Sequence, residues 1–193
     1  MPKDGPGATA RILDLDALLP EIGLIGDAGL REKVRRVWQA LWAKSEFDDF
    51  AAIPTSGEIA YPNLPHMRCV VALALGIADS FERFHGVKVN RDVLVAACLL
   101  QDASKVVEYR PKPGGGIEKT PIGKAVPHAF EAARVALEHD LPLDVVHIIA
   151  THSPQAARFP TSLEGKIIYY ADQLDVIAIH GDHWVKEQVI HRA

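Results

Sequence analysis

The sequence predicts an all-α protein, a compact helical bundle that forms one domain over residues 1–193. Apolar residues recur at intervals of three and four along most of the chain, which is the pattern of helices that bury one face. Residues 106–120 break this pattern, and a short β-hairpin or flexible flap is expected there. Neither an internal repeat nor a linker between two cores is visible, so a single domain accounts for the whole chain.

The composition is that of an ordinary globular protein and argues against several functional classes. Of the 193 residues, 48% are apolar and 24% are charged, and the formal net charge of −4 does not favour a nucleic-acid partner. Two cysteines, Cys69 and Cys98, are too few for a disulfide framework or a Cys-ligated zinc site, which favours a cytoplasmic location. Residues 1–10 lack the apolar stretch of a signal peptide, and no apolar run approaches the roughly 20 residues of a membrane span, so no membrane contact is expected.

The first part of the chain is predicted to contain an arm, a helix and a loop. Residues 1–29 are interpreted as an N-terminal arm with a short helix over 12–19. Residues 30–45 are predicted to form an amphipathic helix, because apolar side chains follow one helical stripe: Val34, Val37, Trp38, Leu41 and Trp42. Residues 48–65 contain three Pro and one Gly, which predicts a long loop.

Helices dominate the rest of the chain. A largely buried helix is expected from residue 66 to about residue 84, and Asn90 is the expected N-cap of the next helix. The functional core is expected to span residues 30–179, followed by a C-terminal segment, 180–193. The further helices are predicted over 91–105, 127–139, 142–152, 162–179 and 182–191.

Five His and Asp residues at predicted helix positions are candidate metal ligands, although long intervals separate them in the sequence. Side chains from facing helices can converge on one centre inside a helical bundle, where metal sites of such folds are built. Spacing alone does not establish that convergence. These residues are His66, Asp102, His128, His152 and Asp172.

The context of Asp102, in the string LLQDASK at the end of an apolar helix, points to one family. Here the chain resembles the HD-domain superfamily of metal-dependent phosphohydrolases, whose pattern is a first His, a His-Asp pair that ends a buried helix, and a distant Asp. His66 in LPHMRCV and Asp172 in YYADQLD match the first His and the distant Asp. His128 in VPHAF and His152 in ATHSP match the further histidines of two-metal members. The resemblance implies an HD-domain-like helical bundle.

The chain departs from the family's pattern at Gln101, which stands where the His of the His-Asp pair is expected. A neutral amide oxygen binds transition-metal ions more weakly than an imidazole nitrogen does. The resemblance therefore implies an asymmetric centre with one or two divalent transition-metal ions (Fe, Mn, Co, Ni or Zn). One ion would be bound firmly by His128 and His152 with Asp102 bridging, and a weaker position would lie beside Gln101.

Basic residues near this centre suggest a small anionic substrate. The resemblance implies that Lys105 contacts the anionic group of the substrate, and residues 105–124 carry five basic residues against two acidic ones. Lys124 and Arg158 are further candidates for substrate binding. Two other residues are expected to support the metal ligands without binding the metal: His147 and Asp175.

The activity that the resemblance implies is hydrolysis of a small phosphorylated compound, such as a nucleotide, by a metal-activated water molecule. The expected catalytic residues are Asp102, which anchors the metal and accepts a proton, Lys105, which holds a phosphate oxygen, and Gln101, which orients the water. Two alternatives belong to the same superfamily: a di-iron oxygenase that uses O₂, and a one-metal hydratase or lyase. A non-catalytic ligand-binding or sensor domain is a third, and a homo-oligomer is left open.

Overall fold

The computed structural model describes residues 11–57 and 61–180, and it is mostly helical with one short antiparallel hairpin, which confirms the predicted fold class. The predicted helix over 182–191 lies outside the described residues. In chain order the elements are α1 (Leu15–Leu18), a 3₁₀ helix (Pro20–Leu24), α2 (Ala28–Trp42), a 3₁₀ helix (Phe50–Ala52), α3 (Asn63–His85), α4 (Arg91–Leu100), α5 (Lys105–Glu108), β1 (Tyr109–Pro111), β2 (Ile117–Lys119), α6 (Pro121–Ala125), α7 (His128–Glu138), α8 (Leu143–Thr151) and α9 (Leu163–His180).

Helix α4 is the centre of the fold. Every residue from Leu94 to Leu100 is buried, and α2, α3, α8 and α9 pack around it. The sequence explains this position, because α4 carries no charged residue after Asp92 and its first turn is capped by Asn90, whose side chain accepts a hydrogen bond from Val93 N. The C-terminal end of α4 therefore delivers the residues that follow it into the middle of the protein.

The segment that precedes α2 packs against this core. Leu19, Ile22 and Ile25 are fully buried, and the 3₁₀ helix Pro20–Leu24 contacts α4. The Asp92 carboxylate accepts hydrogen bonds from Gly26 N and Asp27 N at 2.7 and 2.9 Å. The packed core consequently extends N-terminal to residue 30, into the segment predicted to be an arm.

The hairpin begins later than the sequence predicted. Val106 and Val107 belong to the single turn of α5, and strand pairing starts with Tyr109 opposite Lys119. The turn between the strands depends on glycine, because Gly114, Gly115 and Gly116 all adopt positive φ angles, of 92°, 106° and 79°. The burial of both valines against the core holds them in the helical turn, although β-branched residues favour strands.

Helix α3 combines unusual length with an apolar sequence. Among the described residues, it alone is long and apolar enough to cross a membrane by length and composition. One of its faces is packed inside the protein and includes His66, Met67, Val70 and Ala74, which is the usual arrangement of a core helix. The expectation of no membrane contact stays a prediction.

Candidate metal centre

Three side chains from different parts of the chain converge at the end of α4. Asp102 lies two residues beyond the last residue of α4, His128 is the first residue of α7, and His152 directly follows α8. Asp102 Oδ1 lies 3.3 Å from His128 Nε2 and 3.7 Å from His152 Nε2. The two Nε2 atoms are 3.2 Å apart. The three groups offer one oxygen and two nitrogens within 4.8 Å of one another.

The backbone orients His152 for this role. Its Nδ1 atom lies 2.7 Å from the carbonyl oxygen of Ile149 and donates a hydrogen bond to it. A neutral imidazole that donates from Nδ1 presents a bare Nε2 lone pair, and metal-binding histidines are held in this way in many proteins. The end of α8 thus directs Nε2 of His152 at Asp102 and His128, and this nitrogen offers a lone pair to a metal when the ring is neutral.

The geometry of these three donors fits a transition-metal ion. Donors around a tetrahedral ion at about 2.0–2.1 Å lie about 3.3 Å from each other. The observed separations of 3.2, 3.3 and 3.7 Å lie close to that value. Two imidazole nitrogens with one carboxylate oxygen are also a ligand set that suits Zn²⁺, Fe²⁺ or Mn²⁺ more than Mg²⁺ or Ca²⁺.

A second group of side chains shares Asp102 with the first. His66 Nε2 lies 3.5 Å from Asp102 Oδ2 and 3.1 Å from Asp172 Oδ1. On the other side of the ring, His66 Nδ1 lies 2.6 Å from Asp175 Oδ2. Gln101 Nε2 approaches Asp172 Oδ1 at 3.5 Å, while its Oε1 is buried without a hydrogen-bond partner in the described part of the chain. The structure therefore brings together the four residues associated with the weaker position, with Asp175 beside them. These four are His66, Gln101, Asp102 and Asp172.

Opposing influences set the charge states of this second group. Burial lowers the pKa of His66, but hydrogen bonds with Asp102, Asp172 and Asp175 outweigh it and hold the pKa well above its ordinary value. Burial raises the pKa of Asp102, but the nearby Lys105 charge and hydrogen bonds with the histidines hold it well below the ordinary range. Asp102 is thus an ionised carboxylate inside the protein, the state that a cation requires.

The two histidines of the first group differ in the direction in which their pKa values are shifted. Burial and the charge of Lys105 hold the pKa of His128 well below its ordinary value. Burial also lowers the pKa of His152, but the hydrogen bond with Asp102 reverses the direction and raises it. His128 is therefore the neutral imidazole of the pair, and its nitrogen is available as a ligand without the loss of a proton.

Both groups line one open cavity of about 190 Å³. Two lysines reach it: Lys105, which is buried, and Lys119, whose side chain is 47% exposed. Both ammonium groups contact the buried carboxylate of Glu108. The remaining lining is contributed by neutral residues and by the metal-ligand candidates: Thr55, Ser56, Gly57, His66, Asp102, Tyr109, His128, His152, Ser153, Pro154, Gln155, Asp172, Gln173 and Val176.

Several predicted residues do not reach the cavity. Lys124 and Arg158 are exposed and are not among the described residues that line it. His147 does not support a metal ligand, since its Nε2 accepts a hydrogen bond from Thr161 N at 3.2 Å and ties α8 to the loop before α9. Gln101 is fully buried and contacts Asp172 without lining the cavity, so its position does not support the predicted role of orienting a water molecule.

Sequence reasoning missed two charged residues of the cavity and two amides. Glu108 and Lys119 stand out in the sequence only as members of a basic segment, and nothing in the sequence marks Gln155 or Gln173. The spacing of Asp102, Lys105 and Glu108 at three-residue intervals was a usable signal, because residues three apart share one face of a helical turn. Lys119 reaches the cavity through the strand pairing of the hairpin, for which the sequence offers no comparable signal.

Comparison with known proteins agrees with this geometry. The chain is 33% identical over 113 residues to the dihydroneopterin 2',3'-cyclic phosphate phosphodiesterase of Methanocaldococcus jannaschii, an alignment that covers 58% of this chain and 45% of that protein. The chain thus spans less than half the length of this relative. No solved structure matches. The sequence model described as HD domain matches residues 64–177, well over half of the chain and every metal-ligand candidate. This protein is therefore a member of the HD-domain family.

Proposed function

We propose that this protein is a metal-dependent phosphohydrolase that cleaves a phosphate ester of a small molecule. The observation that carries the proposal is the convergence of Asp102, His128 and His152 in the same cavity as Lys105 and Lys119. A metal-ligand set beside two ammonium groups is suited to a phosphate group, whose oxygens gain negative charge in the transition state. The matched relative, a cyclic phosphate phosphodiesterase by name, supports phosphate ester hydrolysis.

HD domains bind divalent metals, and the triad supplies a position for one. In the proposed mechanism Asp102, His128 and His152 hold this ion, and His66 with Asp172 holds a second, weaker one. When bound, a divalent ion lowers the pKa of water and polarises a phosphoryl oxygen. The candidate metals are Fe, Mn, Co, Ni and Zn.

The chain's own residues supply the remaining steps. Lys105 and Lys119 orient the phosphate group and balance its charge. Asp102, which is ionised before the reaction, accepts the proton of the attacking water and becomes neutral; this proton is finally delivered to the oxygen that leaves, which restores the carboxylate. In the overall reaction one P–O bond forms to water oxygen and one P–O bond to the ester oxygen breaks, so a diester gives a monoester and an alcohol.

A cyclic phosphodiester of a small hydroxylated compound is the substrate class we favour. The matched relative is named as a phosphodiesterase of a cyclic phosphate, and the cavity of about 190 Å³ suits a small ligand or one end of a larger one. Its neutral polar lining, which includes Thr55, Ser153 and Gln173, offers hydrogen-bonding groups for hydroxyl substituents.

The proposal is tested by metal analysis and turnover on the same preparation. The protein is purified, its metal content is measured by mass spectrometry, and hydrolysis of bis(4-nitrophenyl) phosphate, 4-nitrophenyl phosphate and 2',3'-cyclic nucleotides is followed after loading with each candidate metal. We expect activity that disappears with a chelator and returns with metal. Asp102→Asn should lose bound metal and activity, whereas Asp144→Asn, an exposed Asp on α8, should retain both. Turnover by Asp102→Asn at the wild-type rate would overturn the proposal.

A further inference from the structure

Glu108 is a buried carboxylate at the edge of the cavity, and it contacts two lysines at once. Its Oε2 lies 3.2 Å from Lys105 Nζ, and its Oε1 lies 3.0 Å from Lys119 Nζ. The side chain of Glu108 is only 6% exposed. Both ammonium groups also lie 5.8 Å from the centre of the Tyr109 ring, within the range of a cation–π interaction.

The local fold fixes the lysine of the hairpin in this place. Lys119 pairs with Tyr109 in the β1–β2 register, and the next residue, Thr120, donates a hydrogen bond from its backbone N to Glu108 O at 2.9 Å. The Thr120 hydroxyl donates a second bond, to Val107 O at 2.6 Å. Two bonds to adjacent carbonyls of α5 therefore attach the end of the hairpin beside Glu108, and Lys119 is held at the cavity by backbone structure.

The charges of this cluster do not cancel. Two ammonium groups face the Glu108 carboxylate, and the charge of Asp102, which also acts on Lys105, would be offset by a cation at the metal position, so one positive charge at the cavity wall is left for a ligand. Each ammonium has three N–H donors, of which the contact with Glu108 uses one. Lys105 is buried beside the metal-ligand candidates, while Lys119 is half-exposed at the opening, so the two lysines present donors at different depths of the same cavity.

We propose that Lys119 binds the anionic group of the substrate together with Lys105, and that Glu108 is the positioning residue that holds both ammonium groups against the cavity. The inference rests on the proposed function for the identity of the anion, a phosphate ester. A single unbalanced positive charge suits a singly charged phosphodiester, in agreement with the favoured substrate class. The alternative is that Lys119 only neutralises Glu108, in which case it stabilises the hairpin and contributes nothing to binding.

Inorganic phosphate is the probe that separates these alternatives without turnover. It is titrated calorimetrically into the metal-loaded protein and into Lys119→Ala, Lys119→Arg and Lys112→Ala. Lys112 is the matched control, an exposed lysine of the same hairpin that is not among the described lining residues. We expect Lys119→Ala to weaken phosphate binding about tenfold, the usual effect of one charge-assisted hydrogen bond. Lys119→Arg should restore most of it, and Lys112→Ala should bind like the wild type.

Kinetics provide the second readout. With bis(4-nitrophenyl) phosphate, Lys119→Ala should raise KM about tenfold with a much smaller change in kcat, because the lysine binds ground state and transition state alike. Glu108→Gln should raise KM in the wild type, and by a smaller factor in Lys119→Ala, where only its effect through Lys105 remains. Fully additive effects of the two substitutions would overturn the positioning of Lys119 by Glu108.

The outcomes distinguish failure of this inference from failure of the proposed function. Equal phosphate affinity and equal KM in the wild type and Lys119→Ala would overturn the role of Lys119, even if the protein hydrolyses phosphate esters. Phosphate binding that depends on Lys119, in a protein that hydrolyses none of the esters, would support the anion site and overturn the proposed function. A lower melting temperature of Lys119→Ala with unchanged phosphate affinity would identify the purely structural alternative.

Discussion

His66 Nδ1 lies 2.6 Å from Asp175 Oδ2, and this contact joins the first turns of α3 to the C-terminal half of α9. The carboxylate accepts a hydrogen bond from Nδ1 and thereby directs Nε2 towards Asp102 and Asp172, 3.5 and 3.1 Å away. Carboxylates that orient a metal-binding imidazole in this way raise its basicity and fix its ring. Hydrogen bonding to His66 also outweighs burial and keeps the pKa of Asp175 below its ordinary value.

Asp175→Asn is therefore expected to lower metal affinity at the weaker position, beside His66, by about tenfold to a hundredfold. The triad position should retain its affinity, because Ile149 O, and not a carboxylate, orients His152. Calorimetric titration of metal into the metal-free protein measures both positions. Asp144→Asn serves as the control, and equal affinities in Asp175→Asn and the wild type would show that this contact does not support metal binding.

Glu108→Gln is expected to destabilise the protein by about 3 kcal/mol, because it leaves the buried Lys105 ammonium without its nearest counter-ion. Urea unfolding of the metal-free protein measures the change. The control is Glu118→Gln, which breaks a more exposed contact with Arg110 on the same hairpin and should cost much less. If the unpaired Lys105 ammonium causes this loss of stability, Glu108→Gln should lower the free energy of unfolding much less in a Lys105→Met background. An equally large loss in that background would contradict the argument.

The helices could be predicted because their signals are local. The stripe from Val34 to Trp42 and the Asn90 cap are each contained within a few residues, and both appear in the structure as expected. The expected hairpin near residues 106–120 is present, but residues 106–108 belong to a helical turn, since the burial of Val106 and Val107 is a tertiary effect that no local pattern shows. The packing of residues 11–25 is also a tertiary effect, since Leu19, Ile22 and Ile25 are buried and the 3₁₀ helix Pro20–Leu24 contacts α4.

The candidate site was predictable only in part, for a related reason. Asp102, His128 and His152 could be named because the resemblance fixes their order, and each retains the helix-end context that the order requires. Lys119 could not be separated from Lys124, five residues later, because both are lysines of one basic segment. Only the pairing of Lys119 with Tyr109 brings one of them to the cavity.

Gly123 is a position where a single methyl group should disturb the cavity wall. A Cβ atom added there would lie 2.2 Å from Glu108 O, a backbone atom that cannot move without shifting α5 or α6. Gly123→Ala is therefore expected to lower the free energy of unfolding by about 1–3 kcal/mol, the usual cost of overpacking. It should also raise KM, because the shift displaces Glu108 and its lysines. Urea unfolding and steady-state kinetics measure the two effects.

Gly76→Ala is the matched control for this substitution. Gly76 lies on the exposed side of α3, and an added Cβ would meet nothing within 4 Å. An alanine in a helix interior is more favourable than glycine by about 0.5–1 kcal/mol, so Gly76→Ala should stabilise the protein slightly and leave KM unchanged. A neutral Gly123→Ala, or a Gly76→Ala variant that is equally destabilised, would refute the close-approach argument.

The thiol of Cys69, on α3, lies close to the Asp175 carboxylate, so its pKa depends on the charge of Asp175. Burial raises the pKa of the Cys69 thiol to about 11, and a hydrogen bond and the negative charge of Asp175 act in the same direction. Because the thiolate is the reactive form, a pKa this high leaves very little of it at pH 8, about a hundredfold less than for an ordinary cysteine. Alkylation by iodoacetamide should therefore be slow at pH 8 and accelerate steadily up to about pH 11.

Asp175→Asn removes the negative charge beside Cys69, so the pKa of the thiol should fall and labelling at pH 8 should become faster. Mass spectrometry of the peptide that contains Cys69 measures the rate, and Cys98, which is fully buried, is the internal control that should stay unlabelled. A Cys69 labelling rate that is the same in both proteins would mean that the Asp175 carboxylate does not act on the thiol.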